Sequence, residues 1–202
     1  MPAYRLYLDT HYDVLPWPFP HDWRALDELP AALPGVVTDF AVFLPEDHDN
    51  LQDDRLPPAL GCAPMEMAVY RQDDALIVVC RLLDGPPLPE RLAPATPDVL
   101  TFWCAASRQP EAALMAQATV DGEMTCRYPT TPWMTEPAPA PPVGCEIETR
   151  RTPRGWIAVT RIPLTAIPAL TPDAECLYFT AGRVWGETGE PSGWATAAVW
   201  AP

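Results

Sequence analysis

Prolines constrain the fold of this chain more than any other residue type. The sequence has 28 of them among 202 residues, and they fall mostly between apolar segments. Because proline lacks an amide donor and its ring clashes with the preceding turn, this density excludes long helices. The chain is therefore expected to consist of short extended segments joined by loops.

Nine segments between these breaks have the length and composition of β-strands, and most are rich in β-branched or aromatic residues. The predicted strands span residues 5–10, 36–44, 65–71, 75–83, 98–106, 113–120, 145–150, 156–162 and 176–184. Turn residues separate several of them, at 72–74, at Asp121-Gly122 and at 152–155. Such turns favour antiparallel hairpins.

One short helix is predicted at 21–29, where Pro30 ends the helical pattern. The proline-rich segments at 16–20 and 132–142 are interpreted as loops that cross between sheets, in preference to ligands for proline-binding modules. The sequence therefore predicts an all-β fold, an antiparallel two-sheet β-sandwich with one short helix and proline-rich loops. Residues 1–202 are expected to form a single domain around one core.

The charge of the chain limits its partners. The formal net charge is −14 at pH 7, and all 13 basic residues are arginines. A nucleic-acid backbone or an anionic membrane surface would be repelled, so neutral or cationic partners fit better. No segment approaches the ~18 consecutive apolar residues of a membrane span, and the first ten residues lack the pattern of a secretion signal. We expect a soluble, cytoplasmic protein.

The six cysteines show no pattern of a metal site. They stand at positions 62, 80, 104, 126, 145 and 176, without the spacing of zinc ligands. In a chain with no export signal they are expected to be reduced and buried. Cys126 and Cys145 bracket one proline-rich segment and are the first pair to test for a disulfide.

Acidic residues concentrate at 45–54, where carboxylates offer the oxygen ligands that calcium prefers. The glycine and glutamate of an EF-hand loop are out of place, so a solvated loop is predicted and no metal site. His11, His21 and His48 lack metal spacing. The sequence also lacks a nucleophile elbow, a P-loop and a dinucleotide-binding turn. Nothing in it requires an enzyme.

The order of four segments resembles a known family. Residues 73–85, 98–106, 155–167 and 177–184 are similar to successive signatures of carbohydrate-binding modules of family 9, within the DOMON-like group of β-sandwiches. The Gly155-Trp156 strand that runs into Ile162-Pro163-Leu164 is the most specific piece, and the similarity extends over 65–196. The resemblance implies a jelly-roll-like sandwich that holds a sugar between aromatic side chains without catalysis, often with structural calcium.

Two tryptophans, Trp185 and Trp194, flank an acidic, glycine-rich loop near the end of the chain. An indole can stack on the apolar face of a sugar, while planar polar side chains bind its hydroxyls. The predicted saccharide site comprises Trp185, Arg183, Glu187, Trp133, Trp194 and Trp200. Trp185 and Trp133 are expected to be exposed. The resemblance implies structural roles for Trp156 and Trp194, and one of Phe102 and Trp103 must face inward because they alternate on a strand.

Three positions depart from the family pattern. Thr101 stands where members commonly have a glutamate, Gly182 where an amide binds the sugar, and Gln117 in place of an arginine. The resemblance also places a loop and then Trp194 after the last predicted strand, and implies that the sequence stops short of the closing strand that many members append. These departures keep open a second function, a sandwich that has lost its ligand and serves as a protein-interaction surface with an exposed apolar patch.

A third function, a haem-binding redox module, follows from the DOMON-like group alone, in which methionine and histidine or lysine serve as axial ligands. The chain offers Met65, Met67, Met124, Met134 and His48. It has no lysine, and residues 65–69 fit an alternating strand equally well.

Overall fold

The computed structural model describes residues 11–36, 65–83, 99–107, 113–128, 144–171, 174, 176–184 and 191–200. Within them lie ten strands: β1 (His11–Pro16), β2 (Met65–Gln72), β3 (Ala75–Leu83), β4 (Val99–Ala105), β5 (Leu114–Thr119), β6 (Met124–Arg127), β7 (Glu146–Thr152), β8 (Gly155–Pro163), β9 (Cys176–Val184) and β10 (Pro191–Trp200). Two single turns of 3-10 helix accompany them, Leu26–Glu28 and Leu164–Ala166. None of these described residues forms a helix that is long and apolar enough to cross a membrane.

The strands form two sheets that share β1. The strand order is β6-β5-β4-β9-β10-β1-β2-β3-β8-β7. Residues 11–14 of β1 pair in parallel with β10, and Leu15 and Pro16 pair in parallel with β2. The other recorded pairings are antiparallel. The first sheet, from β6 to β1, and the second sheet, from β1 to β7, confirm the predicted all-β sandwich.

A hydrophobic core lies between the two sheets. In β4 every second side chain, Leu100, Phe102 and Cys104, is fully buried, as expected of a strand with one face on a core. Phe102 is therefore the inward member of the Phe102-Trp103 pair. The second sheet contributes alternate residues of β3 and β8, including Trp156, which is only 4 % exposed. The structural role predicted for Trp156 is thus confirmed.

A second core covers the outer face of the second sheet. Residues 17–36 cross this face, and Trp23, Leu26 and Leu33 pack against buried side chains of β2, β3 and β8. Strand β3 is consequently buried on both faces, and each residue from Ala75 to Cys80 is fully enclosed. This explains why its sequence is a continuous apolar run instead of an alternating one.

Polar contacts hold residues 17–36 in place. Arg81 donates hydrogen bonds to the carbonyl oxygens of Pro30 and Ala31, and Tyr70 Oη donates to the carbonyl oxygen of Pro34 at 2.8 Å. Ion pairs also join Arg24 to Glu146 and Arg150 to Asp27. The segment is therefore fastened to the sheet by hydrogen bonds and ion pairs in addition to its apolar contacts.

The predicted turns lie where turn residues interrupt the strands. Gln72 pairs with Ala75 across a two-residue turn, and Asp73 adopts a positive φ of 52°. Gly122 donates its amide to the carbonyl of Thr119 at 3.1 Å and adopts φ of 82°, a conformation that favours glycine. Thr152 pairs with Gly155 across the β7–β8 turn. These three antiparallel hairpins confirm the interpretation of the turn sequences.

The helix predicted at 21–29 was wrong. Only the 3-10 turn Leu26–Glu28 forms. The segment lies on the second sheet, and packing of Trp23 and Leu26 into the second core determines its backbone conformation. Strands β1, β6 and β10 were not predicted. Strand β6 has four residues, and β10 is rich in alanine and glycine, which have low strand propensity. The strand predicted at 5–10 lies outside the described residues. The strand predicted at 36–44 does too, except for Val36, which is not in a strand.

Candidate functional site

The outer face of the first sheet is the candidate site. The inner faces of both sheets pack on one another, and residues 17–36 cover the outer face of the second sheet. On the outer face of the first sheet, residues that alternate with the core side chains include several buried or half-buried polar ones. They are Thr101, Gln117, Thr119 and Tyr178, with the apolar Ala105 and Met115 beside them.

Strand pairing brings two of these residues and two glycines into one row. Thr101 pairs with Gln117 of β5 on one side and with Gly182 of β9 on the other, and Gly182 pairs with Gly193 of β10. Neighbouring strands lie about 4.8 Å apart, so the row crosses four strands over a length comparable to a small ligand. Because glycine has no side chain, neither Gly182 nor Gly193 places a side chain beside Thr101.

This row contains the three positions at which the chain departs from the family pattern. Gln117, Thr101 and Gly182 are far apart in the sequence, yet they are direct neighbours in the sheet. The polar residues that the resemblance implies there would therefore form one cluster. In this chain the cluster has an amide, a hydroxyl and a glycine in place of two charged groups and an amide.

Two hydroxyl groups near this row lack hydrogen-bond partners among the described residues. Thr101 is only 7 % exposed, and its Oγ1 is buried and unpaired. Thr119, which pairs with Val99 two residues before Thr101, also has a buried, unpaired Oγ1. An unsatisfied buried polar group costs about 1–3 kcal/mol, so both hydroxyls would gain from a polar ligand.

The backbone positions of three predicted site residues are described. Arg183 pairs with Leu100 and Ser192, in the row next to that of Thr101. Trp194 is in strand β10, paired with the buried Ala181, and Trp200 ends the same strand, opposite Val14 of β1. No strand had been predicted at 191–200; β10 forms there and pairs with both β9 and β1.

The other predicted site residues, Trp185, Glu187 and Trp133, lie outside the described residues. The sequence reasoning overlooked Thr119 and Tyr178 on the candidate face. The signal for Thr119 was present, because Leu114, Ala116 and Ala118 alternate with more polar residues along β5. The same period of two marks Tyr178, which lies between the buried Leu177 and Phe179.

The described residues contain no cluster of three or more histidine, cysteine or acidic side chains that could hold a metal ion. The acidic segment at 45–54, which was considered as a calcium site, lies outside the described residues. The candidate haem ligands Met134 and His48 lie outside them too. Of the candidate haem ligands, Met65 and Met67 are buried between the sheets, at 4 % and 1 % exposure. Both methionines serve the core, as the alternating-strand interpretation predicted.

The structure describes the side chains of four cysteines, and all four are free thiols. Cys80 and Cys104 are fully buried, and burial raises the pKa of both thiols because it disfavours the thiolate. They behave as small apolar core residues, as expected.

Comparisons with known proteins point to the fold. No protein-family model matches the chain, and no curated protein matches it in sequence. A family 9 carbohydrate-binding module from Caldicellulosiruptor kristjanssonii, solved in complex with glucose, is similar in structure. The match has a TM-score of 0.51 and 10 % identity, and it covers 95 % of this chain and 96 % of that one.

Two further structures match over less of the chain. A family 9 module from the same organism in complex with cellotriose has a TM-score of 0.45 and 14 % identity, over 68 % of this chain and 74 % of that one. A candidate carbohydrate-binding protein from Bacteroides uniformis has a TM-score of 0.49 and 7 % identity, over 68 % and 78 %. With the match to the glucose complex spanning nearly both chains, the protein has a fold similar to that of family 9 carbohydrate-binding modules.

Proposed function

We propose that this protein is a noncatalytic module that binds a neutral saccharide on the outer face of the first sheet. The observation that carries the proposal is the row Gln117, Thr101, Gly182 and Gly193, beside which the Thr101 and Thr119 hydroxyls are buried without partners. Support at the level of the fold comes from the similarity to a module solved with glucose.

The chemistry of this row suits a neutral polyol. The amide of Gln117 can both donate and accept hydrogen bonds, and each threonine hydroxyl can do the same, as sugar hydroxyls require. Glycines at the adjacent positions let a flat ligand approach the backbone. The net charge of −14 further favours a neutral ligand over an anionic one.

Aromatic stacking would supply the remaining recognition. We assign Trp185 and Trp133 as the stacking residues, with Arg183, Glu187, Trp194 and Trp200 as further contacts. Trp185 follows directly after β9, whose Gly182 belongs to the row. Strand β9 therefore links the polar row to Trp185 through the next residues of the sequence.

The test is to titrate the intact chain with glucose and with cellotriose and to measure binding by calorimetry and by tryptophan fluorescence. We expect saturable binding that Trp185→Ala weakens by about 1–3 kcal/mol, by analogy with base stacking on aromatic side chains. Gln117→Ala should weaken binding through the lost amide contacts. Gln72→Ala is the matched control, because Gln72 lies at the end of β2 in the second sheet.

Stability separates binding residues from core residues in the same experiment. Trp156→Ala should lower the free energy of unfolding by about 3–5 kcal/mol, because it empties a buried aromatic site. Trp185→Ala should leave it nearly unchanged. No response to any mono- or disaccharide, or equal effects of Gln117→Ala and Gln72→Ala, would contradict the proposed site.

The two other candidate functions gain no support from the described residues. An interaction surface would need an exposed apolar patch. Among the residues whose side chains the structure describes, Val36, at 38 % exposure, is the sole exposed large hydrophobic one. For haem, two of the candidate ligands are core residues. A purified protein that shows a Soret band after reconstitution with haem would revive the redox function.

A further inference from the structure

Two cysteines meet where the open edges of the sandwich come together. Cys126 lies in β6, which begins the strand order, and Cys145 immediately precedes β7, which ends it. Although the strands are at opposite ends of that order, the fold brings them side by side. Cys145 packs against the core cluster that includes Cys126. Each thiol shifts the pKa of the other, lowering that of Cys126 and raising that of Cys145.

Other contacts hold the same edges together. Thr149 Oγ1 of β7 donates a hydrogen bond to the carbonyl oxygen of Val120 at 2.9 Å. Arg151 Nη2 lies 3.1 Å from Asp121 Oδ1 in the turn that leads into β6. The approach of the two cysteines is therefore part of a contact that spans the β5–β6 turn and β7.

We propose that Cys126 and Cys145 are a redox-active thiol pair, which low-molecular-weight disulfides oxidise to a disulfide that joins the two sheets. Cys126 is fully buried and Cys145 is partly exposed, so the small disulfide reaches Cys145 first. The Cys145 thiolate attacks one sulfur of the small disulfide, forms a mixed disulfide and expels one small thiolate.

Cys126 completes the exchange. Its thiolate attacks Cys145 Sγ, forms the intramolecular bond and expels the second small thiolate. Two protein thiols are oxidised, one small disulfide is reduced to two thiols, and the two protons pass to the departing thiolates. In the reduced protein the thiol of Cys126 and burial raise the pKa of Cys145, so the first attack should be faster at higher pH, where more of Cys145 is thiolate.

The experiment equilibrates the intact protein with glutathione disulfide, blocks the remaining free thiols by alkylation in acid, and digests with trypsin without reduction. Because Arg108, Arg127 and Arg150 are cleavage sites, Cys126 falls in the peptide 109–127 and Cys145 in the peptide 128–150. We expect these two peptides to be linked, and dithiothreitol to separate them. The peptide map needs no substitution, so it does not depend on whether a variant folds.

Thermal unfolding provides the second readout. Since the bond closes the segment 127–144, oxidation should raise the Tm by roughly 5–10 °C. Cys145→Ser should lose this shift and the linked peptides, whereas Cys80→Ala, which removes a fully buried thiol of β3, should keep both.

Three results would overturn the proposal. One is full alkylation of both cysteines after treatment with glutathione disulfide. A second is glutathione bound at Cys145 with no linked peptides. The third is a link between the peptides 92–108 and 109–127, which would pair Cys104 with Cys126. Sugar titration measures a different region of the molecule, so failure of one proposal leaves the other unaffected.

Discussion

At the scale of single residues, Tyr70 shows how burial changes chemistry. The side chain is fully enclosed under residues 17–36, and its ring meets Trp17 and Phe19 edge-on, at centroid distances of 5.5 and 5.8 Å. Burial raises the pKa of Tyr70 to about 12, and the positive charge of Arg81 offsets part of this rise. The neutral phenol is the form that donates to Pro34.

This shift predicts a loss of stability at alkaline pH. The unfolded chain ionises Tyr70 near pH 10, whereas the folded chain keeps it neutral up to about pH 12. The contribution is fully present below pH 10 and is lost as the pH rises through 12. Urea unfolding at pH 9 and pH 12 measures how far the free energy of unfolding falls between the two. We expect this fall to be about 2–3 kcal/mol smaller in Tyr70→Phe than in the wild type. Identical pH dependence in both proteins would contradict the assignment.

Thr101 shows the opposite situation, a buried polar group without a partner among the described residues. Its hydroxyl lies on the face away from the core, so a core-packing role does not explain its burial. The sequence alone identified Thr101 as a departure from a family pattern. Only the strand register showed that Gln117 and Gly182 adjoin it.

At the scale of elements, the β7–β8 turn depends on one glycine. Gly155 adopts φ of 131°, and a Cβ atom there would lie 1.9 Å from the carbonyl oxygen of Leu82. That oxygen belongs to the neighbouring strand β3, which pairs with β8 along nine residues. The backbone of β3 cannot move away without disrupting this pairing.

We therefore expect Gly155→Ala to destabilise the protein by about 3 kcal/mol or more, through overlap with backbone and a strained φ. Gly122→Ala is the matched control, because Gly122 also has a positive φ but its nearest atom, Thr149 Oγ1, is at 3.4 Å. Its cost should be about 1 kcal/mol. Thermal melts of both variants make the comparison, and equal losses would show that backbone overlap at Gly155 is unimportant.

At the scale of the whole molecule, two cores share the second sheet. The first lies between the sheets and contains Trp156, and the second lies under residues 17–36 and contains Trp23. Trp23 is 3 % exposed, close to the 4 % of Trp156. The N-terminal segment therefore forms a third layer on the sandwich.

We expect Trp23→Ala to reduce the free energy of unfolding by about 3–5 kcal/mol, as much as a substitution in the first core. Val36→Ala serves as the control on the same segment, since Val36 is exposed and should change stability by less than about 0.5 kcal/mol. Chemical denaturation measures both. An unchanged Tm in Trp23→Ala would mean that the segment packs only loosely on the sheet.

Local patterns determined much of this molecule. Runs of β-branched and aromatic residues between turn residues predicted β2, β3, β4, β5, β7, β8 and β9, because strand and turn propensities are properties of neighbouring residues. The turns at Asp73 and Gly122 followed from residues that tolerate a positive φ. The short β6 and the alanine-rich β10 escaped prediction because their strand character comes from pairing and not from composition.

Only the tertiary structure decided which distant segments meet. It placed β1 in both sheets and aligned Gln117, Thr101 and Gly182 in one row. It also showed that residues 17–36, which include the helix predicted at 21–29, cover the second sheet. The sequence placed Cys126 and Cys145 on either side of a proline-rich segment, but only the tertiary structure packed Cys145 against the core that contains Cys126. Local sequence determines strands and turns through backbone preferences, whereas register and sheet closure depend on non-local pairing that no short window contains.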